Sequence, residues 1–164
     1  MAPVPWHRPP EGTIKLNVDG SFKQNTTNGG TGGILRDHLG NWIAGFSCKV
    51  KEVNAHHAEI LALLHGLSLA KRLNINRFHM ETDSQVLINN IKSNTRIYSH
   101  NYDDCRSLLN QLEVTSMEHI MREAKSVADL LAIYRRKSKD PRLGQPLVFE
   151  ASPSFIASSL ERDA

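Results

Sequence analysis

Two cysteines are all that this 164-residue chain contains, and their surroundings exclude the sites that cysteine usually builds. Cys48 and Cys105 form no CxxC pair and have no histidine at zinc-finger spacing, so neither a zinc finger nor a disulfide framework is indicated. The chain also lacks the apolar run of a signal peptide and any stretch near the roughly 20 apolar residues of a membrane-spanning helix. We therefore expect an intracellular protein of the cytoplasm or nucleus that is neither secreted nor bound to a membrane.

Excess charge and internal repeats are lacking as well. Lys and Arg number 20 against 17 Asp and Glu, and a net charge of +3 permits a polyanionic partner without requiring one. With 40% apolar residues, the length suits one buried core. We predict an N-terminal segment over residues 1–11, one domain over 12–139, and a C-terminal tail over 140–164 that is partly docked or disordered. We expect this domain to be a piece of a longer chain and to be monomeric when isolated.

The apolar pattern predicts three strands, then helices alternating with strands. Residues 14–18 alternate as in a half-buried strand, and 33–36 and 42–50 complete an antiparallel meander. Residues 54–73 change to the i, i+3, i+4, i+7 spacing of a buried helix. Further strands are predicted over 77–82 and 114–121, and further helices over 86–91, 102–112 and 124–137. This order indicates an α/β domain with a five-stranded mixed sheet, antiparallel in strands 1–3 and parallel in strands 4–5, flanked by helices.

Three acidic residues occupy special places in this order. Asp19 ends the first strand, Glu59 lies near the start of the buried helix, and Asp83 ends the fourth strand. Taken singly, they have ordinary interpretations as a turn residue, a solvated helix acid and a helix cap. If the first and fourth strands are neighbours, the three carboxylates converge, and crowded carboxylates favour a hard divalent cation such as Mg²⁺ or Mn²⁺. Two such ions serve in the hydrolysis of phosphodiesters.

Several motifs, in order along the chain, resemble a known family. They are WHRPP at residues 6–10, IKLNVDGSF at 14–22, GGILRD at 32–37, AEILAL at 58–63, ETDS at 81–84 and REAKSVADLLA at 122–132. The set resembles the plant reverse-transcriptase-like RNase H domain of retroelement-related proteins, and the end of the chain, over 153–163, is similar to that family's tail. The resemblance covers essentially the whole chain and implies the RNase H-like fold.

The resemblance implies a metal-dependent ribonuclease H that cuts the RNA strand of RNA–DNA hybrids internally. The family's acidic tetrad corresponds to Asp19, Glu59, Asp83 and Asp129, which would hold two Mg²⁺ or Mn²⁺ ions. Asp129 comes from the resemblance alone. His119, ten residues earlier, is a candidate for proton transfer, with a structural role as the alternative. The family usually has asparagine where this chain has Lys125, a change that would loosen the surroundings of Asp129.

Nucleic-acid contacts are predicted in two regions, each with an ordinary alternative. Polar side chains around the first turn and basic side chains near the last helix end could contact a hybrid or another duplex, or could simply be solvated. The polar candidates are Asn17, Gln24, Asn25 and Asn28; the basic ones are Arg135, Arg136, Lys137 and Lys139.

Other functions remain open from the sequence. A binding module that has lost cleavage and a related exonuclease are the alternatives to a ribonuclease. A zinc site on His56, His57 and Glu59 is a remote fourth hypothesis, because adjacent helix residues point about 100° apart and cannot easily bind one ion.

Overall fold

Strands and helices follow one another in the computed structural model in the order that the apolar pattern predicts. The structure describes residues 6–51, 54–75, 77–93, 98–120, 126–140, 142 and 144–156. The strands are β1 (Lys15–Phe22), β2 (Gly29–Arg36), β3 (Trp42–Val50), β4 (Arg77–Thr82), β5 (Glu113–His119) and β6 (Leu147–Phe149). The helices are α1 (Ala55–Arg72), α2 (Gln85–Lys92), α3 (Ser99–Gln111) and α4 (Ser126–Lys137), followed by a 3₁₀ turn at Ser154–Ile156.

The sheet has the order β5-β4-β1-β2-β3-β6. Strands β1, β2 and β3 form an antiparallel meander, whereas β4 runs parallel to β1 and β5 runs parallel to β4. The predicted α/β class and the mixed sheet are thus confirmed. The strand count differs from the prediction: the tail supplies a sixth strand, β6, which pairs antiparallel with β3. Three residues between Pro146 and a polar stretch are too few for a recognisable period, so no local signal predicts this strand.

Strand β1 lies at the centre of the sheet and is buried on both faces. Leu16 and Val18 belong to the main apolar cluster beneath α1. The opposite face, with Lys15, Asn17 and Asp19, is also buried, although the alternating pattern predicts contact with water on that side. The polar residues of this face therefore need partners from elsewhere in the chain.

Helix α1 begins where the Asn54 side chain accepts a hydrogen bond from the backbone N–H of His57. Its apolar stripe, including Ile60, Leu63 and Leu67, is fully buried against the sheet. Burial of one such side chain contributes about 1.5–3 kcal/mol, so this face fixes the helix firmly on the sheet. The helix ends at Arg72, and Asn74 turns the chain with φ 57° in the left-handed region that asparagine tolerates.

Helix α4 covers the other face of the sheet at β2. A side chain could not be accommodated at Gly32, because its Cβ would lie 2.3 Å from the backbone nitrogen of Ala132. Val127 and Leu131 of α4 pack with Ile34 and Ile156 in a second apolar cluster. The start of the predicted last helix, with Lys125, lies outside the described residues.

The described part of the C-terminal tail docks on β3. The indole N–H of Trp42 donates to the carbonyl of Phe149 at 3.0 Å, and the backbone N–H of Gly144 donates to the carbonyl of Lys49 at 3.0 Å. In the regions that the structure covers, no helix combines the length and the apolar character needed to cross a membrane.

Candidate metal centre

The first carboxylate, Asp19, lies in the C-terminal half of β1, opposite Gly32 of β2. It is only 2% exposed. Its burial follows from the position of β1, which has a paired strand on each side and a helix on each face. A carboxylate placed so deeply is costly unless opposite charge or hydrogen bonds stabilise it.

Glu59 reaches Asp19 because α1 packs directly on the backbone of β1. At Gly20, an added Cβ would lie 2.5 Å from the carbonyl carbon of Ala58 and 2.6 Å from the backbone nitrogen of Glu59. Only glycine permits this approach, since no other residue lacks the Cβ. The Asp19-Gly20 pair therefore supplies one acid and the space that brings in the second.

Asp83 directly follows β4. At this edge of the sheet, β1 also continues beyond the residues that pair with β4. Because β1 and β4 are parallel, with Asn17 opposite Glu81, their carboxyl ends point to the same edge. Ser84 fixes the turn: its side chain caps α2 by accepting from the N–H of Leu87 at 3.1 Å, and its own N–H donates to the Thr82 hydroxyl at 3.2 Å. Strand, turn and helix cap together hold Asp83 beside Asp19.

The three carboxylates converge as the sequence indicates. Asp19, Glu59 and Asp83 each offer one oxygen, and these oxygens lie within 4.8 Å of one another. Three negative charges at this spacing repel one another, and the donor set contains oxygen alone, which suits Mg²⁺ or Mn²⁺ rather than zinc or copper. The residues present therefore fit a hard divalent cation.

Asp129 stands apart from this group. It lies in the first turn of α4, half-buried, and is not one of the residues whose oxygens meet within 4.8 Å in the described chain. Helix α4 is held against the sheet by the close contact at Gly32, the β2 residue that lies directly opposite Asp19. The fourth predicted ligand is thus on an element beside the cluster, without being part of it.

His119 contacts the same edge of the sheet. It ends β5 opposite Thr82, and its Nε2 lies 3.0 Å from the carbonyl oxygen of Asp83. Since a carbonyl only accepts, Nε2 carries the proton, and in the neutral ring Nδ1 is left with a lone pair. The side chain is exposed. His119 is therefore neither a core residue nor a member of the carboxylate group, but a neighbour of Asp83.

Two predicted nucleic-acid contacts are corrected by their burial. Asn17 is 0% exposed, and its amide joins Trp6 and Glu81, so it cannot reach a ligand at the surface. Arg135 is 3% exposed and forms an ion pair with Asp140 at 3.4 Å, so its charge is already paired with an acid of the same chain. Both errors arise because the partners are invisible to a local pattern.

The remaining predicted contacts lie at or near the surface. Gln24 and Asn25 are exposed in the turn between β1 and β2, and Asn28 is half-buried there. Lys137 is exposed at the end of α4, and Arg136 donates from Nε to the Ser21 hydroxyl at 2.7 Å. Lys139 is exposed as well. These side chains stay predictions.

The zinc hypothesis receives no support from the geometry. The Nε2 of His56 lies 3.0 Å from the hydroxyl of Tyr102, and the ring of His57 stacks on Tyr98 with centroids 4.6 Å apart. Burial, and then the neighbouring charge of His57, lower the pKa of His56. Within the described chain, neither histidine joins Glu59 in a group of potential ligands.

Known proteins with similar sequences show which family this chain belongs to. Residues 17–134 match the family described as reverse transcriptase-like. The chain belongs to this reverse-transcriptase-like family. An Arabidopsis thaliana protein named "Putative ribonuclease H protein" is 32% identical over 134 residues, which are 80% of this chain and 22% of the relative. The chain thus spans about a fifth of that relative's length.

Solved structures establish that this member of the reverse-transcriptase-like family has the RNase H-like fold. RNase H1 of the archaeon Halobacterium salinarum aligns with a TM-score of 0.69 and 22% identity, covering 74% of this chain and 96% of that one. LC11-RNase H1, crystallised with an RNA/DNA hybrid, aligns with a TM-score of 0.68 and 18% identity, covering 75% and 96%. The N-terminal RNase H domain of a Mycobacterium tuberculosis protein aligns with a TM-score of 0.67 and 19% identity, covering 76% and 93%.

Proposed function

We propose that this domain is a metal-dependent endoribonuclease that hydrolyses the RNA strand of RNA–DNA hybrids. The observation that carries the proposal is the convergence of Asp19, Glu59 and Asp83, from three separate elements, to within 4.8 Å. The fold, the name of the Arabidopsis relative and the hybrid bound by LC11-RNase H1 support the same activity. The plant relative also favours the plant branch of the family, which includes retroelement-related proteins.

Asp19, Glu59 and Asp83 would hold divalent ions, and Asp129 would contribute from the first turn of α4. Mg²⁺ or Mn²⁺ supplies activation of a water molecule and neutralisation of charge on the leaving oxygen. The chain's own contribution is to hold the carboxylates in place on β1, on α1 and directly after β4 before the substrate arrives, so that little reorganisation is needed during the reaction. The products would be a 5′-phosphate and a 3′-hydroxyl.

His119 would assist by moving a proton. Its Nε2–H is anchored on the Asp83 carbonyl at 3.0 Å, which orients the ring and leaves Nδ1 to accept or return the proton. Substrate contacts would come from the exposed side chains of Gln24, Asn25 and Lys137. The 2′-hydroxyl groups of the RNA strand give such contacts a means of distinguishing a hybrid from DNA.

The test is cleavage of a labelled RNA–DNA hybrid beside single-stranded RNA, duplex RNA and duplex DNA, with Mg²⁺, Mn²⁺ or EDTA. Asp83→Asn should abolish cleavage. Asp103→Asn is the matched control, because it removes the same charge from a side chain that is 72% exposed and paired with Arg106. His119→Ala should cut more slowly.

Each alternative function has its own outcome in this experiment. Cuts that begin only at a free end, and that vanish when both ends are blocked, would identify an exonuclease. Hybrid binding without any cleavage by the folded protein, with either metal, would identify a binding module and refute the proposal. Equal cleavage of all four substrates would refute the hybrid preference while leaving a nuclease.

A further inference from the structure

The pairing between β1 and β4 is short, and two candidate ligands follow it along the chain. It comprises three residue pairs, and in the last of them Asn17 and Glu81 each lie two positions before a candidate ligand, Asp19 and Asp83 respectively. Residues two apart on a strand share a face and lie about 6–7 Å apart. The separation of the two carboxylates therefore depends on how firmly this last pair is held.

A chain of buried hydrogen bonds fixes the pair. The Asn17 amide N–H donates to Glu81 Oε1 at 2.9 Å, and the indole N–H of Trp6 donates to Asn17 Oδ1 at 2.9 Å. The second oxygen of Glu81 lies 3.1 Å from Lys15 Nζ. Asn17 is 0% exposed, Trp6 4% and Glu81 6%, so water does not compete for these bonds.

The segment that carries Trp6 is itself held in place by two contacts. The guanidinium of Arg36 lies over its ring, 3.8 Å from the centroid, and Lys15 Nζ donates to the carbonyl of His7 at 2.8 Å. These contacts dock a segment that lies before β1 onto the face of the sheet opposite α1. Buried hydrogen bonds of this kind rigidify the groups that they join.

We propose that Trp6, Asn17 and Glu81 are positioning residues that set the separation of the Asp19 and Asp83 carboxylates and thereby the affinity for the divalent cation. This inference rests on the metal centre of the proposed function. It adds to that function a dependence on a residue in the N-terminal segment, outside the domain boundary that the sequence predicts. Removal of the Trp6 N–H frees the Asn17 amide to rotate. This rotation weakens the contact between Asn17 and Glu81, the residue pair that precedes the two candidate ligands.

The experiment compares Trp6→Phe with Trp42→Phe. Both substitutions keep an aromatic ring and remove one indole N–H, but Trp42 donates to the carbonyl of Phe149 at the far edge of the sheet, between β3 and β6. The probe is Mn²⁺ alone, titrated calorimetrically into the folded protein. In parallel, kcat and KM for the hybrid are measured over a range of Mn²⁺ concentrations.

For Trp6→Phe we expect Mn²⁺ binding to weaken about tenfold, which is the lower end of what loss of a ligand-orienting partner causes. The kcat at limiting Mn²⁺ should fall and recover at high Mn²⁺, while KM for the hybrid stays unchanged. Trp42→Phe should match the unmodified protein in all three measurements, although both variants lose a few degrees in Tm. A purely structural role of Trp6 would change Tm without changing Mn²⁺ affinity.

Unchanged Mn²⁺ affinity in Trp6→Phe, or an equal loss in Trp42→Phe, would overturn the inference and leave the ribonuclease proposal intact. If the unmodified protein binds Mn²⁺ but does not cut, the proposed function fails and the binding comparison still decides the inference. If it binds no Mn²⁺, both fail. Should Trp6→Phe not fold, benzothienylalanine at position 6, which replaces only the N–H by sulfur, serves as the second variant.

Discussion

Removing one carboxylate from the candidate metal centre should stabilise the protein when no metal is present. Asp83 takes part in two of the three repulsive pairs among oxygens that lie within 4.8 Å of one another. Coulomb's law gives such a pair about 1 kcal/mol in a water-like dielectric and about 3 kcal/mol at an effective dielectric constant of about 20. Asp83→Asn keeps the shape of the side chain and one acceptor oxygen while abolishing the charge.

The expected gain in the free energy of unfolding lies toward the lower end of that range, because Glu59 and Asp83 are only half-buried. We expect about 1–2 kcal/mol, which for a chain of this size corresponds to a rise in Tm of about 2–8 °C. The measurement is thermal unfolding in EDTA at low salt, repeated at high salt, where screening should shrink the difference.

Bound metal should reverse the order of the two Tm values, so that the unmodified protein becomes more stable than Asp83→Asn. A ligand at about 100 times its Kd stabilises the folded state by about 2.7 kcal/mol, so saturating Mg²⁺ should raise the Tm of the unmodified protein above that of Asp83→Asn. The control, Asp103→Asn, breaks an exposed pair with Arg106 at 3.0 Å and should cost no more than about 1 kcal/mol at any metal concentration. A lower Tm for Asp83→Asn in EDTA at low salt, or equal stabilisation of both proteins by Mg²⁺, would refute the reasoning.

Three further predictions concern packing and ionisation. Gly20→Ala should lower the free energy of unfolding in urea by about 1–3 kcal/mol, since its Cβ would lie 2.5 Å from the backbone of Ala58; an unchanged value would contradict the close packing. Burial lowers the pKa of His65 from 6.5 to about 4, so the unfolded state binds more protons between these values. Urea unfolding should therefore show stability falling as pH drops through that window, by on the order of 3 kcal/mol at most, and His65→Gln should flatten this dependence on pH. Burial raises the pKa of Cys48 to about 11 and of Cys105 to about 12, so a thiol reagent at neutral pH should label them only after unfolding; rapid labelling of the native protein would contradict this.

The sequence predicts those helices and strands whose apolar period and capping residues lie within or next to the element itself. Helix α1 combines a capping side chain at Asn54 with a stripe of apolar residues at helical spacing, so its period and its start are both visible in the sequence. Strand β6 has neither signal, because it is three residues long and exists through pairing with β3 about a hundred positions earlier. The period of a pattern predicts an element only when the element is long enough to show one.

The residues of the candidate metal centre also differ in whether the pattern of the sequence predicts them. Asp19 and Asp83 lie on or just after strands that the predicted topology places side by side, and Glu59 lies near the start of the helix that crosses from the third strand to the fourth, so their convergence follows from the order of elements. Asp129 lies within an ordinary helical pattern and came only from the family resemblance. The structure places it in the first turn of α4, on an element beside the cluster.

The burial of Asn17 shows what alternation in a strand cannot predict. Alternation assigns Asn17 to the face opposite Leu16 and Val18, which is correct, but it does not determine whether that face meets water. Here the face is covered by Trp6, 11 residues earlier, and paired with Glu81, 64 residues later. Neither partner is within the span of a local pattern. Because a buried amide needs such partners to offset its lost hydration, the contacts that hid Asn17 from prediction also make it suitable for holding the two strands together beneath the carboxylates.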